Sequence, residues 1–144
     1  KNDIPTIKDR EGIEIKILVG KVKDIKSLVQ TYSPVSIFDV KFSKPDQINL
    51  EISKNQIAMV YVIEGDLKFN EENKIASKGQ MVYFDQSSNL INLTSISSSG
   101  SYLVLAGEPI NETVIRHGPF VTNTEGEMKQ AILNYQNGKM GNLT

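Results

Sequence analysis

Hydrophobic and polar side chains alternate along most of the chain between residues 13 and 106. The first stripe consists of Ile13, Ile15, Ile17 and Val19. A period of two is typical of half-buried β-strands, whose side chains point in turn to the core and to solvent. Further strands are predicted at Phe38 to Phe42, Ile48 to Ile52, 57–63, Met81 to Phe84, Ile91 to Leu93 and Tyr102 to Leu105. The run 57–63 has no polar interruption, and we interpret it as a buried core strand.

Short turn signals separate these strands at fairly even intervals. They are Ser33-Pro34, Lys44-Pro45-Asp46, Glu64-Gly65-Asp66, Lys78-Gly79-Gln80 and the serine-rich stretch that ends at Gly100. Many short strands with regular turns and no interleaved helical pattern indicate an antiparallel sandwich or barrel rather than a parallel βαβ sheet. We therefore predict an all-β fold built as a small closed β-barrel.

The pattern changes to a helical one after residue 122. Thr124 and Glu127 have the spacing of a capping box, in which each side chain satisfies a free backbone N–H of the other residue. Met128, Ala131, Ile132 and Tyr135 then recur at helical spacing. Gly138 favours the left-handed conformation that ends many helices. These signals predict one C-terminal helix over about residues 125–137.

Length and charge narrow the classes of protein. The chain has 144 residues and a mass of 16.0 kDa, which suits a single domain. Sixteen basic residues and seventeen acidic ones give a formal net charge of -1. This balance excludes binding to nucleic acid or to an anionic membrane by bulk charge. The longest apolar run, 57–63, is far shorter than the roughly 20 residues that a membrane helix requires.

Cysteine is absent from the chain. Disulfides, thiolate metal sites and a cysteine nucleophile are therefore excluded, and we expect a reducing, cytoplasmic location. The first residue is Lys1 rather than Met, so we expect the chain to be a processed form or a piece of a longer protein.

The common catalytic motifs are also missing. The sequence contains no glycine-rich phosphate-binding motif, no G-x-S-x-G and no H-E-x-x-H. His117 is the only histidine, which excludes a metal site with several histidines.

Residues 106–141 have the sequence AGEPINETVIRHGPFVTNTEGEMKQAILNYQNGKMG. This stretch resembles the C-terminal signature of the pirin family. Two positions depart from it, because Thr113 stands where Pro is usual and Thr122 where Met is usual. Weaker resemblance extends upstream over most of the chain. The matching positions are Gly107, Glu108, Pro109, Glu112, Val114, His117, Gly118, Pro119, Phe120, Val121, Asn123, Thr124, Glu127, Gln130, Ala131, Ile132, Tyr135, Gly138 and Gly141.

The resemblance implies a cupin fold, an antiparallel β-barrel also called a double-stranded β-helix. Pirins are bicupins in which the iron site, three His and one Glu, lies in the N-terminal barrel. This chain resembles the second barrel alone, as a single cupin domain over residues 1–144. We expect barrel strands in 1–106, a connecting strap in 107–123 and the C-terminal helix segment in 124–138.

The cupin metal motif can be placed on this chain by its spacing, with Gly65 and Gly79 as its glycines. Ala58 then falls at the Glu position and Val82 at the last His position. The first two His positions fall on Glu51 and Ser53 or on Ile52 and Lys54. One carboxylate does not hold iron, so we expect no metal and no cofactor in this chain.

The resemblance therefore implies a metal-free domain without catalysis of its own. Its role would be to brace an iron-bearing N-terminal cupin or another protein, and the quercetin 2,3-dioxygenase activity of the family would belong to that other half. The polar and aromatic strap is the expected interface, with weak self-association through it. The candidate interface residues are Glu108, Glu112, Arg116, His117, Phe120 and Asn123.

Other hypotheses stay open at this point. The chain could be a stand-alone small-molecule binder whose barrel interior is lined by Tyr61, Tyr83 and Phe84, or these aromatics could simply fill the barrel. Phe120 could plug the barrel instead of serving an interface. A third hypothesis is a metal-independent enzyme that uses His117 with a nearby glutamate, Glu112 or Glu108.

Overall fold

The computed structural model of the chain describes residues 4–10, 12–69, 74–84 and 90–141. They divide into two compact units, Lys1–Pro109 and Ile110–Thr144. The elements are β1 (Thr6–Arg10), β2 (Ile13–Val19), β3 (Lys21–Val22), β4 (Ile25–Lys26), β5 (Val35–Phe42), β6 (Asp46–Glu51), β7 (Ile57–Glu64), β8 (Asp66–Phe69), β9 (Lys74–Ser77), β10 (Met81–Phe84), β11 (Leu90–Ser95), β12 (Gly100–Gly107), β13 (Ile115–His117), β14 (Phe120–Thr122) and α1 (Glu125–Gln136).

Two antiparallel sheets form the first unit. The larger has six strands in the order β1-β2-β5-β12-β7-β10, and the smaller has four in the order β6-β11-β8-β9. The short strands β3 and β4 pair only with each other. In the described residues, hydrogen bonding does not join the two large sheets into a closed ring, so the predicted barrel is open at its corners.

One apolar core lies between the inner faces of these sheets. Every second residue of β2, β5, β7 and β12 points into it from the six-stranded sheet, as the alternation predicts. The largest fully buried side chains are Tyr102, Phe38, Ile17, Leu67 and Leu93. Burial raises the pKa of the Tyr102 hydroxyl above its usual value, so Tyr102 stays neutral inside the core.

Strand β7 is not the fully buried strand that the sequence predicts. Ala58, Val60 and Val62 are buried, whereas Met59 and Tyr61 are only half-buried. Each sheet of an antiparallel sandwich has one face on the core and one face away from it. The unbroken apolar run therefore places large apolar side chains on the outer face of the sheet as well.

One end of the core is closed by Phe42 beneath two glycines. A Cβ atom at Gly100 would lie 2.5 Å from the Phe42 ring and would also overlap the carbonyl oxygen of Glu64. Gly65 has a φ of +84°, and a Cβ there would approach the same ring to 3.1 Å. The Phe42 ring also packs against Tyr102, with a centroid distance of 6.4 Å. A side chain at position 100 would therefore displace the Phe42 ring.

The second unit consists of the β13–β14 hairpin and helix α1, which pack against each other. The predicted capping box is present. The Glu127 backbone N–H donates to Thr124 Oγ1 at 3.2 Å, and the Thr124 backbone N–H donates to Glu127 Oε2 at 2.9 Å. The helix ends one residue earlier than predicted, and Gly138 follows in the expected left-handed conformation with a φ of +65°.

We expect Gly100→Ala to destabilise the sandwich by about 1–3 kcal/mol, because the added methyl group overpacks the Phe42 closure. Gly107→Ala, at the other end of β12, is the matched control. Its Cβ would come no closer than 3.9 Å to a side chain, so its effect should stay below about 1 kcal/mol. Urea unfolding measures the free energy of unfolding of the two variants. Equal losses in both variants would contradict the tight packing of Phe42 under Gly100.

Candidate functional site

The strap 107–123 contains both irregular and regular backbone. Residues 108–114 form no strand or helix. Further along the strap, β13 and β14 pair as a short hairpin in which His117 is opposite Phe120. Gly118 and Pro119 form the turn, where proline removes no hydrogen bond from the ladder.

Most of the candidate interface residues lie at the surface. Glu112, Arg116, His117 and Asn123 are exposed, and Glu108 is half-buried. Asn123 ties the two ends of the hairpin together, because its Nδ2 donates to the Thr113 carbonyl oxygen at 3.0 Å. Its backbone N–H also donates to Glu127 Oε2 at 3.1 Å. Asn123 is therefore built into the hairpin and the helix cap.

The exposure of His117 bears on the enzyme hypothesis. The His117 imidazole and the Glu112 carboxylate both lie in solvent. The described geometry gives the pair no enclosed site in which to act.

The Phe120 ring packs against an aromatic residue of its own unit. It lies edge-on against Tyr135 of α1, with a centroid distance of 5.8 Å and an interplanar angle of 68°. Such edge-to-face pairs contribute beyond the apolar area that they bury. Phe120 therefore joins the hairpin to the helix, a role that neither sequence hypothesis assigned to it.

The positions at which cupins hold a metal carry unsuitable side chains here. Ala58 is buried on β7, and Val82 packs against the core from β10. Neither side chain has a donor atom, and Glu51 is exposed at the end of β6. Among the described residues, no group of three or more His, Cys, Asp or Glu side chains could hold a metal ion. This donor set does not fit iron.

The proposed lining of a ligand cavity is wrong for two of its three aromatic residues. Tyr61 lies between the buried residues Val60 and Val62, so it points to the opposite face of the sheet. Tyr83 is 62% exposed on the same outer face. Only Phe84 packs against the core, with its ring 5.8 Å from that of Phe69.

Two of the grooves in the described part of the first unit were not predicted by the sequence analysis. The larger, of about 860 Å³, surrounds the strand ends near Phe42 and Gly100 and carries both lysine and glutamate side chains. The smaller, of about 370 Å³, is mainly apolar and includes Ile37, Met59 and Leu105. The outward-facing apolar residues of 57–63 were the available signal for the second groove.

The profile of the pirin C-terminal cupin domain matches residues 37–141, most of the chain and most of both units. The chain belongs to the pirin family. Pirin-1 of Arabidopsis thaliana is 34% identical over 142 residues, which cover 96% of this chain and 49% of that protein. The pirin-family chain thus spans about half the length of the curated relatives it matches.

Solved structures support the cupin fold. The chain is similar to quercetin 2,3-dioxygenase from Acinetobacter baumannii, with a TM-score of 0.84 and 29% identity over 99% of this chain and 49% of that one. An RmlC-like cupin from Shewanella frigidimarina covers 75% of this chain and 86% of its own, with a TM-score of 0.51 at 11% identity, which shows the fold alone. The predicted cupin-type fold is confirmed. Helix α1, the one helix in the described part of the chain, is too short and too polar to cross a membrane.

We expect Phe120→Ser to weaken the contact between hairpin and helix. Amide hydrogen exchange should then become faster in Glu125–Gln136 and stay unchanged in β5, β7 and β12. Val121→Ser is the matched control, because Val121 is next along the strand and 63% exposed. Equal exchange rates in the two variants would contradict the packing role of Phe120.

Proposed function

We propose that this chain is a cupin domain without a metal or catalysis of its own, which braces a neighbouring iron-bearing cupin domain of the pirin type. The proposal rests on one observation, which is that the positions assigned to metal ligands by the cupin spacing belong to the apolar core or pack against it. Ala58 and Val82 contribute only apolar surface there, between packed neighbours such as Val60. Apolar side chains in place of metal ligands contribute to packing and cannot bind a catalytic metal ion. They therefore favour a structural role for the domain.

The relatives support a partner of similar size. The chain matches about half of Pirin-1 and about half of the quercetin 2,3-dioxygenase chain. The family description assigns the matched half to the C-terminal domain. By resemblance, the iron and any quercetin 2,3-dioxygenase activity belong to the N-terminal half. The absence of cysteine supports a cytoplasmic location for such a protein.

The strap remains the interface proposed from the sequence, with Glu108, Glu112, Arg116, His117, Phe120 and Asn123 as its contact residues. The exposure of Arg116 and His117 on the hairpin supports this role. Its contacts would be polar ones at a solvent-accessible rim, which contribute to orientation more than to affinity.

Small-molecule binding is the second candidate function, and the larger groove favours it. The groove is bordered by the buried residues Ile13 and Phe42 and by the charged side chains of Lys41 and Glu64. A ligand would bind at the strand ends, outside the packed interior.

Metal content tests the proposed function. The purified chain, expressed with added iron and dialysed against a chelator, should retain well below about one metal ion per chain, because Ala58 and Val82 provide no ligand. Elemental analysis measures iron, copper and zinc together, and a quercetin turnover assay should give no activity. The Acinetobacter baumannii quercetin 2,3-dioxygenase, treated in parallel, is the control. One metal ion per chain that survives the chelator would overturn the proposal.

A further inference from the structure

The outer face of the six-stranded sheet carries a second apolar surface at one side. Strand pairing sets Leu103 opposite Tyr61, and Tyr61 opposite Met81. In the next row, Leu105 is opposite Met59, and Met59 is opposite Tyr83. We call these six residues of β12, β7 and β10 the outer apolar patch. They are neighbours in two adjacent rows, so the patch is continuous.

Part of the same face is charged. Lys8 is opposite Glu14, and Glu14 is opposite Lys41. Lys16 is opposite Asp39 in the next row, and its ammonium group lies 3.7 Å from Glu14. Opposite charges thus alternate across β1, β2 and β5 and neutralise one another. Asp39 is also opposite Leu103, so the outer apolar patch meets a charged residue in that row, whereas Leu105 is opposite Ile37 and the apolar surface continues there.

The patch has the composition of an interface core. Met81 is 55% exposed and Tyr83 is 62% exposed, whereas the other four residues are half-buried. Tyrosine and methionine are enriched in the cores of protein interfaces, and lysine and glutamate are depleted there. The smaller groove continues the patch along Met59 and Leu105. Contiguous apolar surface of this kind marks an interaction site.

The length of the relatives points to one occupant. The matched region is the C-terminal domain, and it accounts for about half of each relative. We propose that the outer apolar patch is the docking surface for an apolar face of a pirin-type N-terminal cupin domain. This inference rests on the proposed function and assigns the affinity to the sheet face rather than to the strap hairpin. An uncharged patch requires an uncharged counterpart, because an unpaired charge buried against it would be strongly destabilising.

Single cysteines can report on the docking surface, because the chain contains none. Tyr83→Cys places a thiol in the outer apolar patch, and Lys41→Cys places one in the charged part of the same face. Arg116→Cys places one on the strap hairpin. Each variant is prepared as the 144-residue chain and as a full-length chimera, in which the part of Arabidopsis Pirin-1 that precedes its match is joined before Lys1. The rate of maleimide labelling at each position is measured by mass spectrometry.

Docking through the patch should slow labelling at position 83 by about tenfold or more in the chimera, because an interface core excludes water. Labelling at position 41 should change by less than about twofold, since that position lies in the charged region. Protection at position 116 without protection at position 83 would overturn the inference and leave the proposed bracing role intact. Unchanged labelling at all three positions would overturn both.

A second measurement requires only the 144-residue chain. Tyr83→Lys should reduce binding of a hydrophobic dye and self-association in sedimentation by severalfold. Ile75→Lys, in β9 of the other sheet, is the matched control because Ile75 is 58% exposed. Equal effects of the two substitutions would overturn the inference. The inference would also be overturned if Phe120→Ser removed self-association and Tyr83→Lys left it unchanged. That result would show that the chains associate through the strap hairpin.

Discussion

Each strand of the two large sheets has one face on a shared core, and the remaining features of the first unit depend on this constraint. The alternation of β2, β5, β7 and β12 directs half of their side chains inwards. Because interiors are close-packed, the inward residues must fill the space between the sheets without large gaps. Phe42 completes this filling at one end, and it can do so only because Gly65 and Gly100 leave room for its ring.

The same packing bears on the proposed function. Ala58 and Val82, which the cupin spacing places at metal positions, are apolar residues that pack in or against the core. The proposal therefore assigns function to the outside of the sandwich and to the strap. The pirin-family relatives, which are about twice as long, fit a division of labour between two halves of one chain.

Much of this fold could be predicted from the sequence because local signals decide it. Period-two alternation located the long strands, and Thr124 with Glu127 located the start of the helix. The short strands β8 and β9 were missed, although Leu67 and Phe69 are in the core, because each has only two apolar residues, whereas all four residues of the predicted strand β10 are apolar. The hairpin in the strap was missed because its strands have three residues each.

The misreading of Tyr61 and Tyr83 had another cause. An apolar run does not reveal whether both faces of its strand are covered by the same chain, because a face that is covered by a partner has the same composition. Only the register, which aligns Tyr61 with Leu103 and Met81, showed where these side chains lie. The outer apolar patch was likewise beyond sequence reasoning, since its residues on β7, β10 and β12 are distant along the chain.

The edge of the six-stranded sheet has a consequence for contacts between copies of the chain. β1 is an edge strand, and Lys8 gives it a solvated charge that discourages a further strand from pairing there. A strand of a second copy would have to accommodate this charge in order to extend the sheet, so growth of the sheet from copy to copy is disfavoured at this edge.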